Sequence, residues 1–231
     1  MKYLKKYDFD TFVENKYNHL LVAMVVLFLV SPLYLKTGLK FPLIMCIFFI
    51  IIQLALRATI DNKKRLLLYR LFVLMALVCM LLPQLKSMSS GASNLFYVTG
   101  RIVFVVFILW TIRLFMGRIL AAEKMTTDKI KGGICLYFLA GIMWCFLYEV
   151  IYQFDSAAFR LETVNPLTFM YYSFSTLTSL GLGDITPTNN FAISFTCLEA
   201  IAGQMFLAVF IARLIGLHIM QKHKPIEEER E

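Results

Sequence analysis

The sequence predicts an all-α membrane protein with six membrane-spanning helices and a re-entrant segment between the fifth and the sixth. The chain has 231 residues, of which 59% are hydrophobic and 16% charged, with a mean hydropathy of +0.71. Soluble domains are only about half apolar and about a quarter charged. Six apolar runs approach the roughly 20 residues that a spanning helix needs, whereas the segment before the last run is too short to cross.

The six runs follow one another through short polar connections. Residues 1–19 are expected to be a cytoplasmic segment, either an interfacial helix or a solvated tail. Residues 36–40 are the only connection between the first two runs, which therefore form an antiparallel hairpin. Pro83 ends the third run. The predicted spans are 20–35, 39–56, 66–82, 95–112, 134–152 and 191–217.

The distribution of Lys and Arg predicts the orientation of these spans. With both termini in the cytoplasm, seventeen basic residues lie in inner segments and four in outer loops. This bias is what the positive-inside rule requires of a cell (inner or plasma) membrane protein. The net charge of +8 is therefore explained by topology, and no nucleic-acid partner is expected. The sequence divides into a cytoplasmic segment 1–19, a four-helix unit 20–112, a cytoplasmic linker 113–133, a unit 134–217 and a cytoplasmic tail 218–231.

Nothing in the residue pattern predicts enzymatic chemistry. The five cysteines lie inside apolar runs without a C-x-x-C spacing, and the three histidines are scattered near span ends. Both patterns favour buried hydrophobes over a metal site or a disulfide. There is no acid–base pair or nucleophile, so we expect no catalysis, no cofactor and no small-molecule substrate. The acidic start before Leu20 also argues against a cleaved signal peptide. The cysteines are Cys46, Cys79, Cys135, Cys145 and Cys197.

The segment between the last two spans predicts a pore. Asn165 and Pro166 are typical of a helix start. A helix over 167–178 would be about 20 Å long and would reach only part of the way into a bilayer. The chain must then return through the glycine-rich residues 179–183. Irregular backbone at membrane depth is tolerated only where it is buried in protein or lines water.

The residues from Met170 onward, MYYSFSTLTSLGLGDITPT, resemble the pore loop of the tetrameric potassium-channel superfamily. The likeness is to prokaryotic members with a T-L-T-T-V-G-Y-G-D-I-T-P filter region. The run from Cys197, CLEAIAGQMFLAVFIARLIGL, is similar to their inner helix. The resemblance covers residues 134–217. It implies three identical partner subunits around one axis within the lipid bilayer.

The resemblance also implies which residues bind the ion. The filter would extend from Ser179 to Gly183, with Thr178 at its base. Main-chain carbonyls in this loop would replace the hydration shell of potassium. The potassium ions would lie at Ser179, Leu180, Gly181 and Leu182.

The filter departs from the usual Thr-Val-Gly-Tyr-Gly of the family. Leu182 removes a phenol that commonly braces the loop, and Leu180 replaces a stiffer β-branched residue. Both glycines are kept. A weakly selective monovalent cation channel is therefore the alternative within the class. A transporter or a non-conducting scaffold is the alternative outside it, although a transporter normally shows paired broken helices.

Residues around the filter have candidate supporting roles. Tyr171 or Tyr172 could donate to Asp184, which otherwise would be a solvated carboxylate at the mouth. Glu149 could accept amide hydrogen bonds behind the filter or be a simple interfacial acid. Ser175 and Thr178 lie one turn apart at the filter base, where capping of the backbone is the plain alternative.

The last span contains the other candidates. Glu199 is an acid inside an apolar helix, and such groups face a bundle interior or water. Gly203 lies where related inner helices flex, with helix packing as the competing explanation. Ala200, Gln204, Leu207 and Ile211 form one stripe. If the stripe faces the axis, Gln204 lines the cavity and Leu207 or Ile211 forms an apolar gate.

The first four spans do not predict a conventional voltage sensor. Such a sensor repeats Arg or Lys at every third position of the fourth span. Here the fourth span has only Arg101, and the next basic residue is Arg113. The second span has only Gln53 as a polar residue near its middle. The role of this unit is left open.

Overall fold

The structure, a computed structural model, describes residues 16–37, 63–81, 90–121 and 126–228. The predicted second span with Gln53, and most of the N-terminal segment, lie outside the described residues. Six α-helices contain the other predicted spans and the re-entrant segment. They are α1 (Lys16–Thr37), α2 (Lys63–Leu81), α3 (Ser90–Leu120), α4 (Thr127–Phe154), α5 (Thr168–Leu177) and α6 (Asn190–Glu228).

Three of the described helices are long and apolar enough to cross a membrane. They cover Ser93–Leu120 in α3, Thr127–Phe154 in α4 and Asn190–Leu217 in α6. Shorter apolar stretches occupy Tyr17–Leu29 in α1 and Leu67–Ala76 in α2.

Helix α4 contacts more of the described helices than any other helix does. It packs against α1, α3, α5 and α6, while α2 packs on α3. Two glycines of α4 allow the closest approaches. A Cβ at Gly133 would lie 2.0 Å from the ring of Phe210 on α6, and one at Gly141 would lie 2.5 Å from the ring of Phe174 on α5. The core around α4 is rich in phenylalanine and leucine, including Phe104, Phe107, Phe115, Leu136, Leu139 and Phe146.

Much of the predicted linker 113–133 is helical. Helix α3 continues to Leu120 and α4 begins at Thr127, which leaves residues 121–126 between them. The apolar runs end earlier than the helices because Arg, Leu and Met continue a helix favourably after the apolar stretch stops. Helix α6 likewise continues through most of the predicted tail 218–231, to Glu228.

A small two-stranded structure joins the end of α4 to the start of α6. A 3-10 turn, Ser156–Ala158, leads into β1 (Phe159–Arg160), which pairs antiparallel with β2 (Thr186–Pro187). Asn189 donates to the Asp155 carboxylate at 2.8 Å beside this pairing. The return of the glycine-rich segment is therefore attached to the loop that follows α4.

Candidate functional site

Helix α5 is a ten-residue helix, about 15 Å long, that ends at the glycine-rich segment. It begins at Thr168, after a turn that Asn165 organises. The Asn165 side chain accepts from the Leu167 amide at 2.8 Å, and Thr168 Oγ1 accepts from the Asn165 amide at 2.9 Å. These bonds hold the turn that precedes the helix, whose N-cap residue Leu167 makes no side-chain cap.

The backbone of the predicted filter alternates in handedness. Ser179, Gly181 and Gly183 have φ of 58°, 55° and 81°. Leu180 and Leu182 between them have negative φ, since Ser179 is the only non-glycine residue with positive φ in the described ranges. Alternating signs of φ turn successive amides to one side of the chain and successive carbonyls to the other.

The amide side of the predicted filter faces α5, which is called the pore helix from here on. Leu180 and Gly181 donate their main-chain N–H groups to the Ser175 carbonyl at 2.8 and 3.1 Å. Ser179 donates to the Thr176 carbonyl at 2.9 Å. Within the described part of the chain, no hydrogen bond reaches a main-chain oxygen of residues 179–183, all of which are exposed. These oxygens are available to a ligand.

Hydroxyl groups complete the base of the filter. Thr178 Oγ1 donates to the Phe174 carbonyl at 2.7 Å, and Ser175 Oγ donates to the Tyr172 carbonyl at 3.0 Å. Both contacts are local backbone caps. Ser179 Oγ instead accepts from the Gln204 amide at 2.8 Å, which connects the filter to α6.

One of the two candidate tyrosines contacts Asp184, the residue that follows the glycine-rich segment. A hydrogen bond to the Asp184 side chain raises the pKa of Tyr171, which is exposed. Tyr172 is turned away and contacts Thr196 Oγ1 on α6 at 2.7 Å. Asp184 also accepts from the Ile185 amide at 3.1 Å.

Glu199 lies away from the filter backbone, buried between three helices. Its carboxyl group accepts from the Tyr148 hydroxyl of α4 at 2.5 Å and contacts Ser173 Oγ of α5 at 2.5 Å. Ser173 Oγ also donates to the Gly141 carbonyl of α4 at 2.8 Å. The group therefore connects α6 to both α4 and α5.

Two roles were predicted for Glu149, and the structure does not place this residue where it could accept hydrogen bonds from the filter amides. It accepts from Arg101 Nε at 2.7 Å and from the Tyr97 hydroxyl at 3.3 Å, both on α3. The Ser179, Leu180 and Gly181 amides donate to the carbonyls of Ser175 and Thr176, and Glu149 accepts from none of them. The acid is part of a contact between α3 and α4.

Gly203 contacts the carboxyl end of the pore helix. A Cβ at this position would lie 2.1 Å from the Leu177 carbonyl oxygen, a main-chain atom. The Tyr137 hydroxyl of α4 donates to the same carbonyl at 2.9 Å. The structure thus gives Gly203 a packing role that the sequence had offered only as the competing explanation.

The candidate cavity stripe lies on a different face of α6 from the residues that pack within the chain. Gln204, Leu207 and Ile211 are exposed, Leu207 at 37% and Ile211 at 51%. The residues that α6 buries against its own chain recur at heptad-like intervals: Ala192, Glu199, Gly203, Phe210 and Leu217.

Three residues at the site were missed by sequence reasoning. Tyr137, Tyr148 and Ser173 contact the pore helix end or Glu199. The available signal was polarity, because each has a hydroxyl group inside an apolar helix. The polar pattern alone does not say which of these hydroxyls meets which acceptor.

Residues 133–218, which include most of α4, all of α5 and most of α6, match a family model described as "Ion channel". Neither the curated proteins nor the solved structures gave a match. The family match and the apolar helices identify an all-α, multi-pass membrane protein that carries an ion-channel domain. They support a passive channel and not an enzyme.

Proposed function

We propose that this chain forms a passive potassium channel in which four identical subunits surround one axis. Residues Ser179 to Gly183 would form the selectivity filter, and potassium would be coordinated at Ser179, Leu180, Gly181 and Leu182. Six spans, with both termini in the cytoplasm, would place the filter near the outer face of a cell membrane. The basic residues of the inner segments support that orientation.

The alternating backbone of residues 179–183 is the observation that carries the proposal. Carbonyls of α5 accept the amides of Ser179, Leu180 and Gly181, and the main-chain oxygens of residues 179–183 accept no hydrogen bond within the described residues. One chain provides only one row of such oxygens. Four rows around an axis would surround a dehydrated monovalent cation, as carbonyl rings do in potassium filters.

The two leucines favour a second candidate, a weakly selective monovalent cation channel. Leu180 and Leu182 are 64% and 57% exposed in the single chain, and an aliphatic side chain offers no hydrogen bond behind the filter. The rigidity of the loop would then depend on its amide bonds to Ser175 and Thr176 and on the Tyr171–Asp184 brace. A looser loop would discriminate less between potassium and sodium.

Flux measurements in liposomes test both candidates. Purified full-length protein should conduct potassium and rubidium, and sodium flux should be much lower if the filter is selective. Equal sodium and potassium flux would replace the first candidate by the second. No flux of any ion under varied voltage, tension and pH would exclude both.

Gly181→Ala is the variant that should stop conduction. An L-residue in the left-handed region costs about 1–2 kcal/mol, and Gly181 has φ of 55°. We expect at least about a tenfold loss of flux, since 1.4 kcal/mol corresponds to a factor of ten. Gly216→Ala is the matched control, because a Cβ there meets nothing within 4 Å.

A further inference from the structure

Glu199 is a fully buried acid without a basic partner. It lies between α4, α5 and α6, and within the described residues no Lys, Arg or His pairs with it. An isolated ionised carboxylate in such a place costs several kcal/mol in lost hydration. The hydrogen bonds around it show how this cost is avoided.

Three oxygen–oxygen contacts form a chain through this carboxyl group. Tyr148 Oη lies 2.5 Å from Glu199 Oε2, Glu199 Oε1 lies 2.5 Å from Ser173 Oγ, and Ser173 Oγ lies 2.8 Å from the Gly141 carbonyl oxygen. Each contact at this distance needs one proton between its oxygens. Tyr148 and Ser173 supply one hydroxyl proton each, and a carbonyl supplies none. The third proton must come from Glu199.

We infer that Glu199 is a neutral carboxylic acid that donates a hydrogen bond to Ser173 and so positions the pore helix between α4 and α6. Tyr148 then donates to Oε2, Glu199 donates from Oε1, and Ser173 donates to Gly141. Every contact holds a proton and no charge is buried. The protonation state stands by itself, whereas its effect on conduction rests on the proposed function.

The groups that face Glu199 fit a neutral acid. They are hydroxyl or thiol groups that are uncharged when protonated, and none of them offers a positive charge. The nearby Arg101–Glu149 ion pair, which also acts on Cys145, has no net charge. The titratable neighbours are Tyr137, Cys145 and Tyr148 on α4 and Tyr172 on α5.

The chain of hydrogen bonds is complete only when Glu199 is protonated. The attachment of α5 to α4 and α6 is therefore strongest at low pH and weakens as the pH rises. Loss of the Glu199 proton would leave either the Ser173 or the Gly141 contact without a donor, and it would bury a negative charge. Alkaline solution should therefore loosen the pore helix from α6 and change conduction.

Infrared difference spectroscopy of the full chain in lipid vesicles tests the protonation state without requiring ion flow. Wild type minus Glu199→Gln at neutral pH should show the carbonyl stretch of a protonated carboxylic acid. Wild type minus Glu149→Gln should not show it, because Glu149 is paired with Arg101. If the Glu199 difference spectrum contains only carboxylate bands, the inference is wrong.

Conservative substitution tests the positioning role. A glutamine amide can donate to Ser173 and accept from Tyr148, so Glu199→Gln should keep potassium flux within about twofold and lose the alkaline response. Glu199→Leu removes both hydrogen bonds and should reduce flux about tenfold or more. A Gln variant as inactive as the Leu variant would overturn the role. If the infrared spectrum shows protonated Glu199 but the wild type conducts no ion, the proposed function is wrong and the inferred protonation state still holds.

Discussion

At the scale of single residues, Gly203 shows how a missing side chain brings two helices together. Helix α6 passes the carboxyl end of the pore helix so closely that a Cβ would lie 2.1 Å from the Leu177 carbonyl oxygen. Tyr137 holds that carbonyl from the other side at 2.9 Å. Because the clash would be with main-chain atoms, rotation of a side chain cannot relieve it.

We predict that Gly203→Ala destabilises the protein by about 1–3 kcal/mol, the usual cost of overpacking. Thermal unfolding in detergent should show a lower midpoint than the wild type. Gly216→Ala on the same helix meets open space and should be neutral or stabilise by a few tenths to 1 kcal/mol.

The same pair of variants separates packing from hinge bending. A glycine needed only for flexing would leave the unfolding midpoint of Gly203→Ala close to that of Gly216→Ala while conduction changed. Equal midpoints for the two variants would therefore contradict the packing role.

At the scale of helices, an ion pair holds α3 against α4. The Arg101 and Glu149 side chains are 9% and 11% exposed and lie 2.7 Å apart. The Tyr97 ring centroid lies 3.5 Å from the Arg101 guanidinium carbon, close enough for a cation–π contact. Arg101, the one basic residue of the predicted span 95–112, thus connects α3 to α4, the first helix of the candidate pore.

Breaking this pair from one side should be more damaging than removing both partners. Arg101→Leu leaves a buried carboxylate unpaired and should cost about 3–5 kcal/mol. Arg101→Leu combined with Glu149→Leu should recover most of that loss. Chemical or thermal unfolding would measure both, with Arg160→Leu on the exposed strand as control. A single Arg101→Leu variant as stable as Arg160→Leu would refute the prediction.

The positions of the helices could be predicted from apolar runs, but their ends could not. The predicted fourth span 95–112 lies inside α3, which runs from Ser90 to Leu120. Apolar periodicity reports where lipid or core begins, whereas a helix continues as long as its backbone and polar side chains favour it. Much of the predicted linker 113–133 is therefore helical, as part of α3 and α4.

Only part of the candidate site could be predicted from the sequence. The glycine spacing of Gly181 and Gly183 predicted an unusual backbone, and both have positive φ. The partners of Glu149 and Glu199 depend on the rotation of α4 against α3, α5 and α6. That rotation depends on many contacts between distant residues, so no short stretch of the sequence predicts it.

At the scale of the whole molecule, α6 leaves most of its surface without a partner in the single chain. Its buried stripe contacts α4 and α5, while other faces expose large apolar side chains. Leu198, Ile201, Met205 and Val209 are each more than half exposed. Lipid can cover part of this surface. The proposed tetramer would cover the remainder with neighbouring copies of α6.

Mixing subunits tests whether four chains share one filter. Wild type and Gly181→Ala carrying different tags would be produced together in equal amounts, and assemblies that contain both tags would be confirmed by sequential purification. If one defective subunit disables a shared filter, flux should fall to about one-sixteenth of the wild-type value, the fraction of closed four-fold assemblies without a variant subunit.

Chains that conduct separately would instead keep about half of the flux, as expected when no interface is shared. A residual near one-quarter would indicate a dimer. Replacing the partner by Gly216→Ala should leave flux unchanged, because a Cβ there meets nothing within 4 Å in the single chain and the residue is not part of the filter. The residual flux therefore counts the subunits around the axis directly, and it does so under the conditions in which the ion moves.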